Sequence, residues 1–159
     1  MPPEEQLVLI GKFALAGLLG ALIGTQRQLR DYPVGTRTLA LVACGAALFT
    51  SISNFLGADR VAAGIVTGIG FLGAGVIFRE GDSVRGITTA ATIWVAAAIG
   101  TAVGMGLYLA AWLATFIVLL VLGSRPLVHR MEEPLRRLLG RGEIPAAKET
   151  AKGEEARRH

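Results

Sequence analysis

Several things are scarce in this chain of 159 residues, and each scarcity removes a class of protein. There is one cysteine, Cys44, so no disulfide can close within the chain and no cysteine metal site can be built. There are two histidines, His129 and His159, standing apart in the tail region without a nucleophile or carboxylate constellation. No Ser-His-Asp, Cys-His or paired-carboxylate arrangement is visible, so enzymatic chemistry is not expected and no catalytic, cofactor or metal residue is assigned. Charge is also scarce, at 18% of residues, and unevenly spread. Counting from Leu7 to Gly123 gives seven Lys/Arg and four Asp/Glu, against nine and six in the 36 residues that follow. The net charge of +4 is not gathered into an aromatic-laced basic patch, so nucleic acid is not an expected partner. The acidic opening MPPEEQ lacks the basic n-region of a secretory leader.

What the sequence does have is apolar length. Apolar residues make up 52% of it, and the mean hydropathy is +0.54. Five apolar runs separate, at about 7–25, 38–56, 61–78, 87–103 and 107–123. Each is near the lower limit for crossing ~30 Å of hydrocarbon as a helix. None alternates with a period of two, which excludes a barrel strand pattern. The last two runs form a charge-free stretch, and GTAVGMG supplies three glycines for a turn between them. The expected fold is all-α: a compact bundle of about five transmembrane helices in residues 1–123. A short amphipathic segment at 124–140 should lie on the membrane surface, followed by a disordered tail at 141–159.

Loop charge orients the chain. Arg27, Arg30, Arg37, Arg79 and Arg85 share one side with the five arginines at 125–141, while Arg60 stands on the other. The excess predicts a cytoplasmic arginine-rich face, with the N-terminus outside and the C-terminus inside. Lys12, in the first run, is expected to snorkel to the outer surface.

GIGFLGAG, residues 68–75, carries the G-x-G-x-x-G spacing of a dinucleotide loop. That loop needs a preceding strand, a water-filled phosphate cradle and an acid about 20 residues on. This one lies inside an apolar run and meets Glu80 and Asp82 too soon. Gly64 and Gly68 instead make a G-x-x-x-G pair, and Gly75 falls seven residues later. With Gly20 and Gly24 they are read as helix-packing glycines, because small residues let backbones approach in lipid. The same faces would allow a homo-oligomer, with a dimer as the expected form. Arg27, Arg37, Arg79, Glu80, Asp82 and Arg85 form the candidate cytoplasmic-face interaction or ion-pair site. Thr88, Thr89 and Thr92 are candidate polar contacts at the start of the fourth span.

Two segments carry a family resemblance. The run VAAGIVTGIGFLGAGVIFREGDSVRGITTAATIWVAAAIG, residues 61–100, is similar to the signature region of the MgtC/SapB family of bacterial inner-membrane proteins. GALIGTQRQLRDYPVGTRTLALVACGAALF, residues 20–49, resembles that family's first two helices and their loop. The resemblance implies an integral-membrane domain of about five helices. It also implies a regulator of adaptation to low magnesium that contacts other membrane proteins, among them the proton-translocating ATP synthase. The family's polar signature falls on Arg27, Arg37, Arg79, Glu80, Arg85, Thr88 and Thr89. Val95 stands where MgtC-type members can carry cysteine, and Thr88 where they can carry asparagine. Only 36 residues follow Gly123, without the pattern of the soluble regulatory module of virulence-type members, so the chain resembles a minimal SapB-like member. The expectation is a non-enzymatic inner-membrane protein acting on itself or on a membrane-protein partner. The alternative is a small ion transporter or channel, for Mg²⁺ or another ion.

Overall fold

The computed structural model describes residues 2–57, 59–81 and 83–124. The expected segment at 124–140, apart from Ser124, the expected tail at 141–159, and Asp82 lie outside them. Five helices follow in order: α1 (Pro3–Gln28), α2 (Thr36–Leu56), α3 (Asp59–Ala74), α4 (Ile87–Gly104) and α5 (Tyr108–Gly123). Between α3 and α4 stand two short strands, β1 (Phe78–Glu80) and β2 (Ser83–Arg85). Helices α1, α2 and α4 are long and apolar enough to cross a membrane. Helices α3 and α5 are apolar and shorter, at 16 residues each. At 1.5 Å per residue they reach about 24 Å, short of the ~30 Å hydrocarbon core.

The core sits where α1, α2 and α4 meet. On α1 the buried positions are Ala16, Leu19, Gly20, Ile23, Gly24 and Arg27, a stripe at three- and four-residue steps. On α4 the stripe is Thr89, Thr92, Ile93, Ala96, Ala97, Ile99, Gly100, Val103 and Gly104. Both stripes press on α2 through glycine. A Cβ at Gly20 would collide with the Leu39 carbonyl, and one at Gly100 with the Ala43 carbonyl. One at Gly24 would come within 2.5 Å of Thr36 Cα, and one at Gly104 within 2.7 Å of Thr50 Cβ. Helix α2 is thus held between two glycine faces, and dispersion contact supplies the attraction that water would supply elsewhere.

The glycines of α3 behave differently. At Gly64 and Gly68 an added Cβ meets nothing within 4 Å, so the close approach expected there is not made within the chain. Gly75 closes the helix, its N–H donating to the Phe71 carbonyl at 3.1 Å. Helix α3 meets α4 near its end, where Gly73 lies beside Ala90. The charge-free stretch divides at Met105–Leu107, where Gly106 takes φ 84° and lets the chain reverse. Helix α5 buries Ala111 and Thr115, and Gln26 Nε2 of α1 donates to its Leu119 carbonyl at 3.2 Å.

Lys12 corrects the expectation of a snorkelling side chain. Its Nζ donates to the Gly104 carbonyl at 2.8 Å, and Ser51 Oγ reaches the same oxygen at 3.4 Å. Gly104 ends α4, where the carbonyls lack partners and the helix dipole is negative. The lysine therefore ties α1 to the end of α4 in both charge and geometry. Lys12→Met should lower stability by about 1.5–3 kcal/mol, the usual worth of a hydrogen bond to a charged group. Reversible SDS titration in mixed micelles reads this directly, and an unchanged midpoint would mean that the bond contributes nothing.

Candidate functional site

At the arginine-rich end, α1 finishes with Arg27 in its last turn. The α1 dipole favours a cation there. The residue is 1% exposed, which is rare for arginine. Its donors are spread over three segments. Nε donates to the Val34 carbonyl at 3.2 Å, in the α1–α2 loop. Nη1 donates to Thr92 Oγ1 at 3.1 Å, and Nη2 to Thr89 Oγ1 at 2.7 Å, both on α4. The guanidinium also stands over the Tyr32 ring, 4.5 Å from its centroid, a cation–π distance.

Among the described residues its acceptors are a carbonyl, two hydroxyls and a ring; none is a carboxylate. Thr92 donates its own hydroxyl to the Thr88 carbonyl at 2.7 Å, which turns its lone pairs to the arginine. The result is a polarised chain from guanidinium to hydroxyl to helix carbonyl. The charge stays buried because neutral dipoles surround it, at the rim of the apolar core where a bare cation would cost several kcal/mol.

The loop folds over this centre. Tyr32 N and Arg30 N both donate to the Arg27 carbonyl, and Asp31 takes φ 58° to make the turn. Gln28 Oε1 accepts from Thr36 N at 3.3 Å, occupying a free donor at the start of α2. Thr25 and Thr36 hydroxyls meet at 3.1 Å. Gly24 and Gly35 leave room for the loop to lie this close.

The other candidate residues lie apart from this centre. Arg79, Glu80 and Arg85 stand on an antiparallel hairpin in which Phe78 pairs with Arg85, Arg79 with Val84 and Glu80 with Ser83. The segment expected as a loop is therefore a ribbon, turned through Gly81 at φ 60°. Arg85 Nη1 meets Glu80 Oε2 at 3.2 Å, diagonally across the strands, with both side chains mostly exposed. Such a pair contributes about 0–1 kcal/mol. Arg79 Nε donates to the Gly81 carbonyl at 3.3 Å. Gly86 then joins the ribbon to α4 at φ 91°, and a Cβ there would strike the Val76 carbonyl. Arg37 is exposed on the first turn of α2, and Thr88 is exposed beside buried Thr89 and Thr92. Among the described residues, no group of three His, Cys, Asp or Glu could hold a metal ion.

The structure thus joins Arg27, Thr89 and Thr92, which sequence reasoning had placed in two separate groups. It adds Val34 and Tyr32, which that reasoning missed. The signal for Arg27 was present: it continues the buried stripe of α1 one turn beyond Ile23 and Gly24. Nothing in the order of residues 29–35 marks Tyr32 and Val34, because a turn through positive φ brings them back.

These features sit within a wider similarity. The profile of the MgtC family matches residues 13–131, which contain α2 to α5 whole and α1 from Phe13 onward. The chain belongs to the MgtC family. Protein MgtC of Brucella abortus (strain 2308) is 53% identical over 125 residues, covering 74% of this chain and 52% of that protein. Protein MgtC of Salmonella typhimurium (strain LT2) is 56% identical over 122 residues, covering 73% of this chain and 53% of its own length. The chain spans about half the length of the curated relatives it matches. No solved structure matches it. Family membership and three membrane-length apolar helices together make this a membrane protein.

Proposed function

We propose that the chain is a non-enzymatic protein of the bacterial inner membrane. It acts by binding a membrane-protein partner, or a second copy of itself, during adaptation to low magnesium or related stress. Its arginine-rich face is cytoplasmic, with the N-terminus outside, as the positive-inside rule favours. The observation that carries the reading is how the polar groups in the helices are used. Arg27 is held by Thr89, Thr92 and Val34, and Lys12 by Gly104. Thr25 and Thr115 bond the carbonyls four residues before them. Arg27 and Lys12 tie helices together and the two threonines are satisfied within their own helices, while Gly20, Gly24, Gly100 and Gly104 close the space between α1, α2 and α4. The exposed hairpin, with Arg79, Glu80 and Arg85, is left as the polar surface for recognition.

The test pairs growth with flux. In a strain lacking its own copy, the parent chain restores growth at low Mg²⁺, and an Arg79→Glu/Arg85→Glu variant does not. The variant should accumulate normally, since exposed substitutions usually stay within about 0.5 kcal/mol. Pure protein in liposomes passes no Mg²⁺. Flux through the pure parent protein would instead establish a small ion transporter and overturn the partner model.

A further inference from the structure

Helices α2 and α3 enclose a cleft of about 560 Å³ between them. Its walls include Leu41, Gly45 and Phe49 of α2 and Gly64, Gly68 and Leu72 of α3. Every lining residue is apolar or glycine. The glycines do not bring the helices together; a Cβ at Gly45, Gly64 or Gly68 would meet open space. What they do is widen the cleft.

Three features say what fills it. The first is depth. Leu41 to Phe49 and Val61 to Leu72 span roughly 12–16 Å by helix rise. That is about one leaflet of a ~30 Å hydrocarbon core. The second is charge. Arg37 lies one helical turn before Leu41, at the end of α2 where the cleft begins. It is exposed and makes no ion pair or hydrogen bond among the described residues, unlike Arg27, Arg79 and Arg85. The third is repulsion. A second copy related by a two-fold axis along the membrane normal would bring a second Arg37, of like charge, to the same end.

We infer that the α2–α3 cleft binds one acyl chain of an anionic phospholipid, with the lipid phosphate against Arg37. The lipid belongs to the leaflet on the arginine-rich side. Its chain gains contact with Leu41, Phe49 and Leu72 that the splayed helices do not give each other. Its phosphate supplies the counter-charge that Arg37 lacks.

Native mass spectrometry of the full chain, delipidated and then supplied with phosphatidylglycerol or phosphatidylcholine of matched chains, tests this. The parent should retain one phosphatidylglycerol and prefer it to phosphatidylcholine. Gly64→Leu/Gly68→Leu fills the cleft without meeting a neighbour, so it should weaken retention of both lipids by at least about tenfold. Its SDS-unfolding midpoint should stay at or above that of the parent. Arg37→Gln should reduce the preference for phosphatidylglycerol by about fivefold and leave phosphatidylcholine binding unchanged. Full lipid retention by the filled variant overturns the proposal, as does a headgroup preference that survives Arg37→Gln. A filled variant that turns a dimer into a monomer without changing bound lipid also overturns it, and gives the cleft to a second copy.

Discussion

Replacing Thr89 and Thr92 together by valine should cost more stability than removing the arginine they hold. The double variant keeps the shape of the site and deletes two of the three hydrogen-bond acceptors of a guanidinium that is 1% exposed. A buried charge stripped of its partners costs on the order of 3–5 kcal/mol. Arg27→Met removes the charge itself. Thr92 still bonds the Thr88 carbonyl, so the main loss is a donor to the Val34 carbonyl, about 1–3 kcal/mol. Adding Arg27→Met to the valine pair should therefore recover stability, a coupling of at least about 2 kcal/mol. SDS titration of the parent, both variants and the triple variant measures it. If the valine pair unfolds with the parent, the threonines are not what keeps the arginine buried.

One substitution should change sign with position. Gly20→Ala and Gly100→Ala each drive a Cβ into a backbone carbonyl of α2, at Leu39 and Ala43. Backbone in a helix cannot step aside, so each should cost about 1–3 kcal/mol, the range for overpacking. Gly64→Ala and Gly68→Ala meet nothing within 4 Å. There alanine should gain about 0.5–1 kcal/mol, because glycine in a helix interior is entropically costly. The same titration separates the two classes. Equal losses at all four positions would mean that α3 packs as tightly as α1 and α4.

This contrast marks how far the sequence could be read. Gly64 and Gly68 show the same small-residue spacing as Gly20 and Gly24. Spacing shows that backbone can approach on that face, and not whether another helix comes. Helix α1 and helix α4 meet α2 along their glycine faces; α3 leaves its own facing a cleft. The five helices were legible because apolar length is a local property, visible in any window of the chain. The hairpin at 78–85 was legible only as a charged loop, since two three-residue strands are too short to carry a period.

The candidate site divides in the same way. Composition, together with the runs at 7–25, 38–56 and 87–103, determined a helical membrane protein, and arginine counts determined which end is charged. Both depend on transfer free energies that sum along the chain. That Arg27 is the buried member of the described arginines, and Arg37 an exposed one, was decided only by tertiary structure. Arginine can stay in an apolar core only if several fixed acceptors converge on it. Here they come from residues 34, 89 and 92, up to 65 positions away. Helix α4 and the α1–α2 loop had to pack against α1 before that arginine had anywhere to go.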